Sequence, residues 1–193
     1  MQIIASSLFV LTLGISTLCA QTPAAPAPAL VALPVLAPFS PQEQAFARTT
    51  STYLQNLMQA TQAGRRARVT DPDISNYSTK LNRGLVSQWT PFVNVCQAHK
   101  FNQIAIDVSK NTAEAIAKMG KLKGAEFRAE FFKMTKPEAQ RALAYVQSFV
   151  PQIRNAELKK NAEAIATTFK ATVESLDAKS KEPFTPKAPV KGK

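Results

Sequence analysis

The stretch from Gly124 to Val150, GAEFRAEFFKMTKPEAQRALAYVQSFV, does most to limit what this chain can become. Phe127, Phe131, Met134, Ala142, Val146 and Phe149 recur at steps of three, four or eight residues. A helix that buries one stripe needs that spacing, whereas a strand, whose side chains alternate, cannot use it. The rest of the chain must supply partners for the stripe.

Further segments share the period. Ser40-Pro41-Gln42-Glu43 is a start signal: Ser40 can cap, Pro41 suits a first turn, and Glu43 stands where a capping box places its acid. The helix it opens is expected to run to about Gly64 or Arg68, with Phe46, Thr50, Tyr53, Leu57, Met58 and Thr61 inward and Leu54 widening the stripe. Asp71-Pro72 repeats the cap-then-proline logic. The second helix then carries Ile74, Tyr77, Leu81, Leu85, Phe92 and Cys96 on one face and Trp89 at its flank, and Pro91 inside it predicts a kink or a break. Phe101, Ile104 and Ile106 lie in a connecting stretch. A short third helix over 109–122 is expected to turn Ala113, Ile116, Ala117 and Met119 inward. Thr135-Lys136-Pro137-Glu138 resembles a second cap inside the fourth helix and predicts a kink or break near Met134. A closing helix over 155–178 buries Leu158, Ala162, Ile165, Phe169, Val173 and Leu176. No run alternates with period two, so the fold expected for residues 40–178 is all-α, an antiparallel up-down four-helix bundle with one shortened helix.

The termini differ in kind. Residues 2–18, QIIASSLFVLTLGISTL, are apolar and uncharged and lead into Cys19-Ala20-Gln21, the length and small-residue exit of a secretory signal cleaved near Ala20. The basic segment that usually precedes such a run is missing, and an uncleaved anchor is the rival reading. Leu18 occupies the place where a lipid-attachment signal wants a small residue. Residues 21–39 are a Pro/Ala-rich tether, with prolines that deny a continuous helix. At the other end, residues 179–193 form a Lys/Pro-rich tail whose composition predicts disorder.

Charge sets the expected partners. The chain carries 24 Lys and Arg against 13 Asp and Glu, none of them in the first forty residues. The mature chain therefore keeps the whole excess, which attracts anionic lipid head groups or cell-wall polymer. Arg65, Arg66 and Arg68, with Lys179, Lys181, Lys187, Lys191 and Lys193, are the candidate contacts. The arginines also complement the dipole at a helix C-terminus, which accounts for them without a dedicated anion site. Nucleic-acid binding rests on charge alone, and export argues against it.

The segment Lys118-Met119-Gly120-Lys121-Leu122-Lys123-Gly124-Ala125-Glu126-Phe127 resembles the start of a late helix in an exported bacterial ferritin-like family, domain of unknown function four-one-four-two. The order of parts is similar as well: signal, Pro/Ala linker, Phe46 early in the first helix, Asp71-Pro72, Tyr77, and a closing helix after Asn155-Ala156-Glu157-Leu158-Lys159. The resemblance spans roughly residues 40–178 and implies a ferritin-like bundle in a periplasmic protein. It also implies metal-type positions that this chain does not fill. The family's acid-plus-His positions fall near Gly84 and Leu85 and near Glu138 and Ala139, and its first-helix glutamates fall in the region Asn56–Gln59. A di-metal carboxylate bundle needs two Glu-x-x-His motifs, and this chain has one histidine, His99, and no such motif. The interior between Leu85 and Ala139 is expected to be hydrocarbon.

No catalytic constellation and no resident cofactor follow from the residues. With Cys19 removed, Cys96 is the only cysteine, expected to be a small buried hydrophobe, with pairing between two chains as the rival reading. Cys96 and His99 lie three apart and could share a metal or a redox role, yet neither has a third ligand or an orienting acid close by; Asp107 is the nearest. Glu126, Glu130 and Glu138, interleaved with Arg128, Lys133, Lys136 and Arg141, read as a solvated, salt-bridged face. Trp89 reads as packing near the bundle end.

Overall fold

The computed structural model describes residues 36–184 apart from 69 and 106. The signal segment, most of the tether, and Lys187, Lys191 and Lys193 lie outside the described residues. Among the described residues the fold is all-helical: α1 (Pro41–Arg65), α2 (Pro72–Ala98), α3 (Lys110–Met119), α4 (Gly124–Phe149) and α5 (Ala156–Ser180). Short 3-10 turns, Arg66–Arg68 and Val150–Gln152, follow α1 and α4. None of these helices is long and apolar enough to cross a membrane.

The helix starts follow from local chemistry. Ser40 Oγ accepts from the Glu43 N–H, and the Glu43 carboxylate accepts from the Ser40 N–H at 3.0 Å, the reciprocal box its spacing predicts. Asp71 Oδ1 accepts from Ile74 N at 3.0 Å and Asn155 Oδ1 from Leu158 N at 2.9 Å, so α2 and α5 are capped in the same way. α2 ends in a left-handed turn at Lys100, φ 58°, where the N–H groups of Lys100 and Phe101 reach back to the carbonyls of Gln97 and Cys96. That turn directs Phe101 into the core.

Each of the four long helices packs on two others, α1 on α2 and α4, and α5 on α4 and α2. Buried positions advance by alternating fours and threes: Glu43, Ala47, Thr50, Leu54, Leu57, Thr61 and Gly64 on α1, and Leu158, Ala162, Ile165, Phe169, Thr172 and Leu176 on α5. That step averages 3.5 residues, the repeat that keeps one seam facing a partner. At Gly64 the approach leaves no room for a side chain. A Cβ there would stand 2.1 Å from Ser78 Oγ and 2.8 Å from a Phe131 ring carbon.

Several expectations change. Pro91 and Pro137 lie inside unbroken α2 and α4, so neither splits its helix. α3 is shorter than expected and turns Thr112 and Met119 inward, with Ile116 half-buried; Ala113 and Ala117 are exposed. α5 continues to Ser180, which puts Lys179 in a helix and not in a tail. The tether is not wholly outside the body either, because Phe39 is 3% exposed and stacks on His99 at 4.6 Å between ring centres.

Candidate functional site

The three arginines at the end of α1 converge on one wall. Arg65, Arg66 and Arg68 are exposed and line a concavity of about 550 Å³ with Gln62 and with Ser75, Asn76 and Thr79 of α2. Ser75 Oγ donates to the Arg65 carbonyl at 2.9 Å, which ties the two helix ends that form the wall. No carboxylate lines this surface, and among the described residues none of the three guanidiniums has an acid within ion-pair distance. The lining side chains are cationic, amide or hydroxyl, a set built to donate hydrogen bonds to an anion.

The lysines divide. Lys181 is exposed, but Lys179 is held between Asp73 at 2.8 Å and Glu182. Burial works against its charge, while the bonds to Asp73 and Glu182 raise its pKa above the usual value. Lys179 is therefore an internal clasp and is withdrawn from the surface set.

Cys96 and His99 have different surroundings. Cys96 is fully buried near the end of α2, and burial pushes its thiol up to about 12, so it stays protonated. His99 follows the last turn as its cap. One ring nitrogen, Nδ1, meets the Ala37 carbonyl at 2.6 Å, and the other, Nε2, meets Asn155 Nδ2 at 3.2 Å with Glu157 at 3.7 Å. Both nitrogens thus fasten chain segments together. Among the described residues no three His, Cys, Asp or Glu side chains gather where a metal could sit. Trp89 is half-buried and packs on the core.

A second concavity was not legible in the sequence. Between α1, α3 and α4 lies a cleft of about 410 Å³ whose buried acid is Glu138, 8% exposed. This corrects the reading of Glu138 as part of a solvated face. Glu138 Oε1 accepts from Asn56 Nδ2 at 2.7 Å and Oε2 from Arg141 Nη2 at 2.7 Å. Asn56, 4% exposed, also accepts from the Ser109 N–H at 2.9 Å, which fixes the start of α3 against α1. Leu85 and Ala139 are fully buried in the apolar core as expected, but Glu138, next to Ala139 in the chain, is buried with Asn56 as a polar pair. Glu130 is partly exposed and bonded to Lys118 at 2.9 Å, and Glu126 is exposed. Tyr53 lines the cleft, and burial, followed by the charge of Glu138, raises its phenol pKa.

No family model, no curated protein and no solved structure matches this chain.

Proposed function

We propose that the chain is a non-enzymatic, exported helical-bundle protein that binds anionic envelope components, lipid head groups or cell-wall polymer, through its basic surface. The observation that carries the reading is the arginine wall. Three guanidiniums share one concave face with hydroxyl and amide donors, no carboxylate lines it, and no acid among the described residues neutralises them. Helix-dipole complementarity explains a cation near the end of α1 but not the convergence of three on one hollow. Lys181 adds charge to the surface set; Lys187, Lys191 and Lys193 lie outside the described residues.

The reading includes an antiparallel four-helix arrangement of ferritin-like type made by α1, α2, α4 and α5, with the short α3 lying outside the four, in the connection between α2 and α4. It is supported by the closed ring of pairings among the four long helices and by the alternating fours and threes of their buried positions. It is supported too by the helix ends that meet: the Tyr145 hydroxyl near the end of α4 donates to the Ala45 carbonyl near the start of α1, and Asp73 at the start of α2 bonds to Lys179 at the end of α5, so that α1 and α4, and α2 and α5, run antiparallel.

Sedimentation with vesicles tests the function. Binding to phosphatidylglycerol vesicles, but not to phosphatidylcholine vesicles, is expected, weakening as salt rises. Each arginine near an anionic surface contributes roughly 1 kcal/mol, so replacing Arg65, Arg66 and Arg68 together by Gln should weaken binding about a hundred-fold. All three are exposed, and the thermal melt should fall by no more than a few degrees, from the lost helix-dipole interaction. Equal binding to both vesicle types, or an unaltered affinity in the triple variant, overturns the reading.

A further inference from the structure

The cleft at Glu138 lies on a different face from the arginine wall and has different chemistry. Its size falls within the range of small-molecule sites. The acids and bases that line it balance, Glu130 and Glu138 against Lys133 and Arg141, so it does not select a bare cation or a bare anion.

The bonding of each group narrows the ligand. Arg141 already neutralises Glu138, which leaves no call for an ammonium there; a carboxylate has about four lone-pair positions and only two are taken, by Asn56 and Arg141. Hydroxyl donors fill the remaining positions without displacing either partner. Pro137 has no N–H to offer the Lys133 carbonyl, so this stretch of the α4 wall has a backbone acceptor released from the helical ladder. Lys133 itself is exposed and, among the described residues, has no acid within ion-pair distance. Tyr53 supplies an aromatic surface, and Leu57 and Met134 an apolar one. Hydroxyl acceptors at the inner end, a ring surface at the side and one uncommitted ammonium describe a carboxylated sugar. We propose that this cleft binds one, its hydroxyls on Glu138 and its carboxylate on Lys133.

The chemistry is shared by a free sugar acid and by an acidic residue within a glycan chain. Titrations of the ¹⁵N-labelled protein with D-glucuronate, D-glucose, succinate and a short oligouronate separate the cases. Glucuronate should saturably shift amides of residues 53–60 and 130–141. Glucose, lacking the anion, and succinate, lacking the hydroxyls, should each bind roughly ten-fold more weakly, the worth of one charge-assisted hydrogen bond. Lys133→Ala should weaken glucuronate by a similar factor and leave glucose unaltered, and Glu138→Gln should weaken both sugars. Should Glu138→Gln fail to fold, the exposed Lys133→Ala still decides. Tighter binding of the oligouronate assigns the site to a polymer, and equal binding assigns it to the free sugar acid. Absence of saturable shifts, shifts confined to residues 65–68, or equal affinity for glucuronate and either control overturns the proposal. The triple arginine variant should bind glucuronate normally, so failure at one site is separable from failure at the other.

Discussion

Asn56 holds two parts of the molecule with one amide. Its Nδ2 donates to Glu138 on α4 and its Oδ1 accepts from the backbone of Ser109 at the start of α3. Asn56→Ala strands both a carboxylate oxygen and a backbone N–H, a loss of about 2 kcal/mol when water from the cleft reaches them incompletely. The urea midpoint should fall accordingly, and the Thr112 and Ala113 amides should exchange faster as α3 loosens. A smaller response in both would mean that packing alone holds α3. The resemblance marks both Asn56 and Glu138 as family site positions that this chain does not fill, but nothing local in the sequence shows that the two side chains bond to each other, and the charged neighbours of Glu138 suggest an exposed face. Glu138 nevertheless falls three residues after buried Thr135 and four before buried Ala142, on the inward track of α4. That register was the available signal, and Lys136 and Arg141 beside it masked it. Cys96 was legible, since an isolated thiol among apolar neighbours has no chemistry to perform once it is kept neutral.

The start of α1 was read from four consecutive residues because a capping box is a local device. What four residues could not show is that Glu43 also closes the connection to α5, accepting from Arg154 N at 3.0 Å and Asn155 N at 2.8 Å. Burial alone would raise its pKa, but the bonds from Asn155, Ser40 and Arg154 together hold it below the ordinary 4.5. The unfolded chain then binds this proton more readily than the folded one. Glu43 therefore stabilises the fold above pH 4.5 and ceases to do so as the pH falls through its depressed folded value. Glu43→Gln should cost about 1 kcal/mol near neutral pH, and the gap between the two urea midpoints should close on acidification. A gap that persists in strong acid would assign the effect to shape and not to charge. Of the two outcomes expected at each proline, a kink or a break, the break does not occur, for the opposite reason. Pro91 and Pro137 each remove one backbone donor, but Leu85 and Phe92 anchor both sides of the first, and Phe131, Ala139 and Ala142 both sides of the second. In α3 the stripe was misphased because ten residues with small alanines define a face poorly.

Taken together, the helices are joined differently at their two ends. Where α2 begins, Arg128 of α4 reaches Asp73 at 2.9 Å and Asp71 at 3.5 Å, lies 5.9 Å from the Phe132 ring centre, and shares Asp73 with Lys179 of α5. Arg128 and Asp71 are both nearly inaccessible, so Arg128→Met leaves a buried carboxylate without its cation and should cost about 3 kcal/mol. Lys118→Ala, which breaks an exposed pair with Glu130, should cost less than about 1 kcal/mol. Comparable shifts in the two thermal melts would show that the clasp carries no special weight. The all-helical body was legible because apolar period alone produces it, whereas this clasp joins residues more than fifty positions apart and leaves no local mark. One geometric consequence remains. Phe39 is seated just ahead of α1, and the arginines stand at its last residue and just beyond, so the 25 residues of that helix set them roughly 37 Å apart. A single continuous helix thus fixes the separation between the Phe39–His99 stack at one end of the bundle and the three guanidiniums at the other.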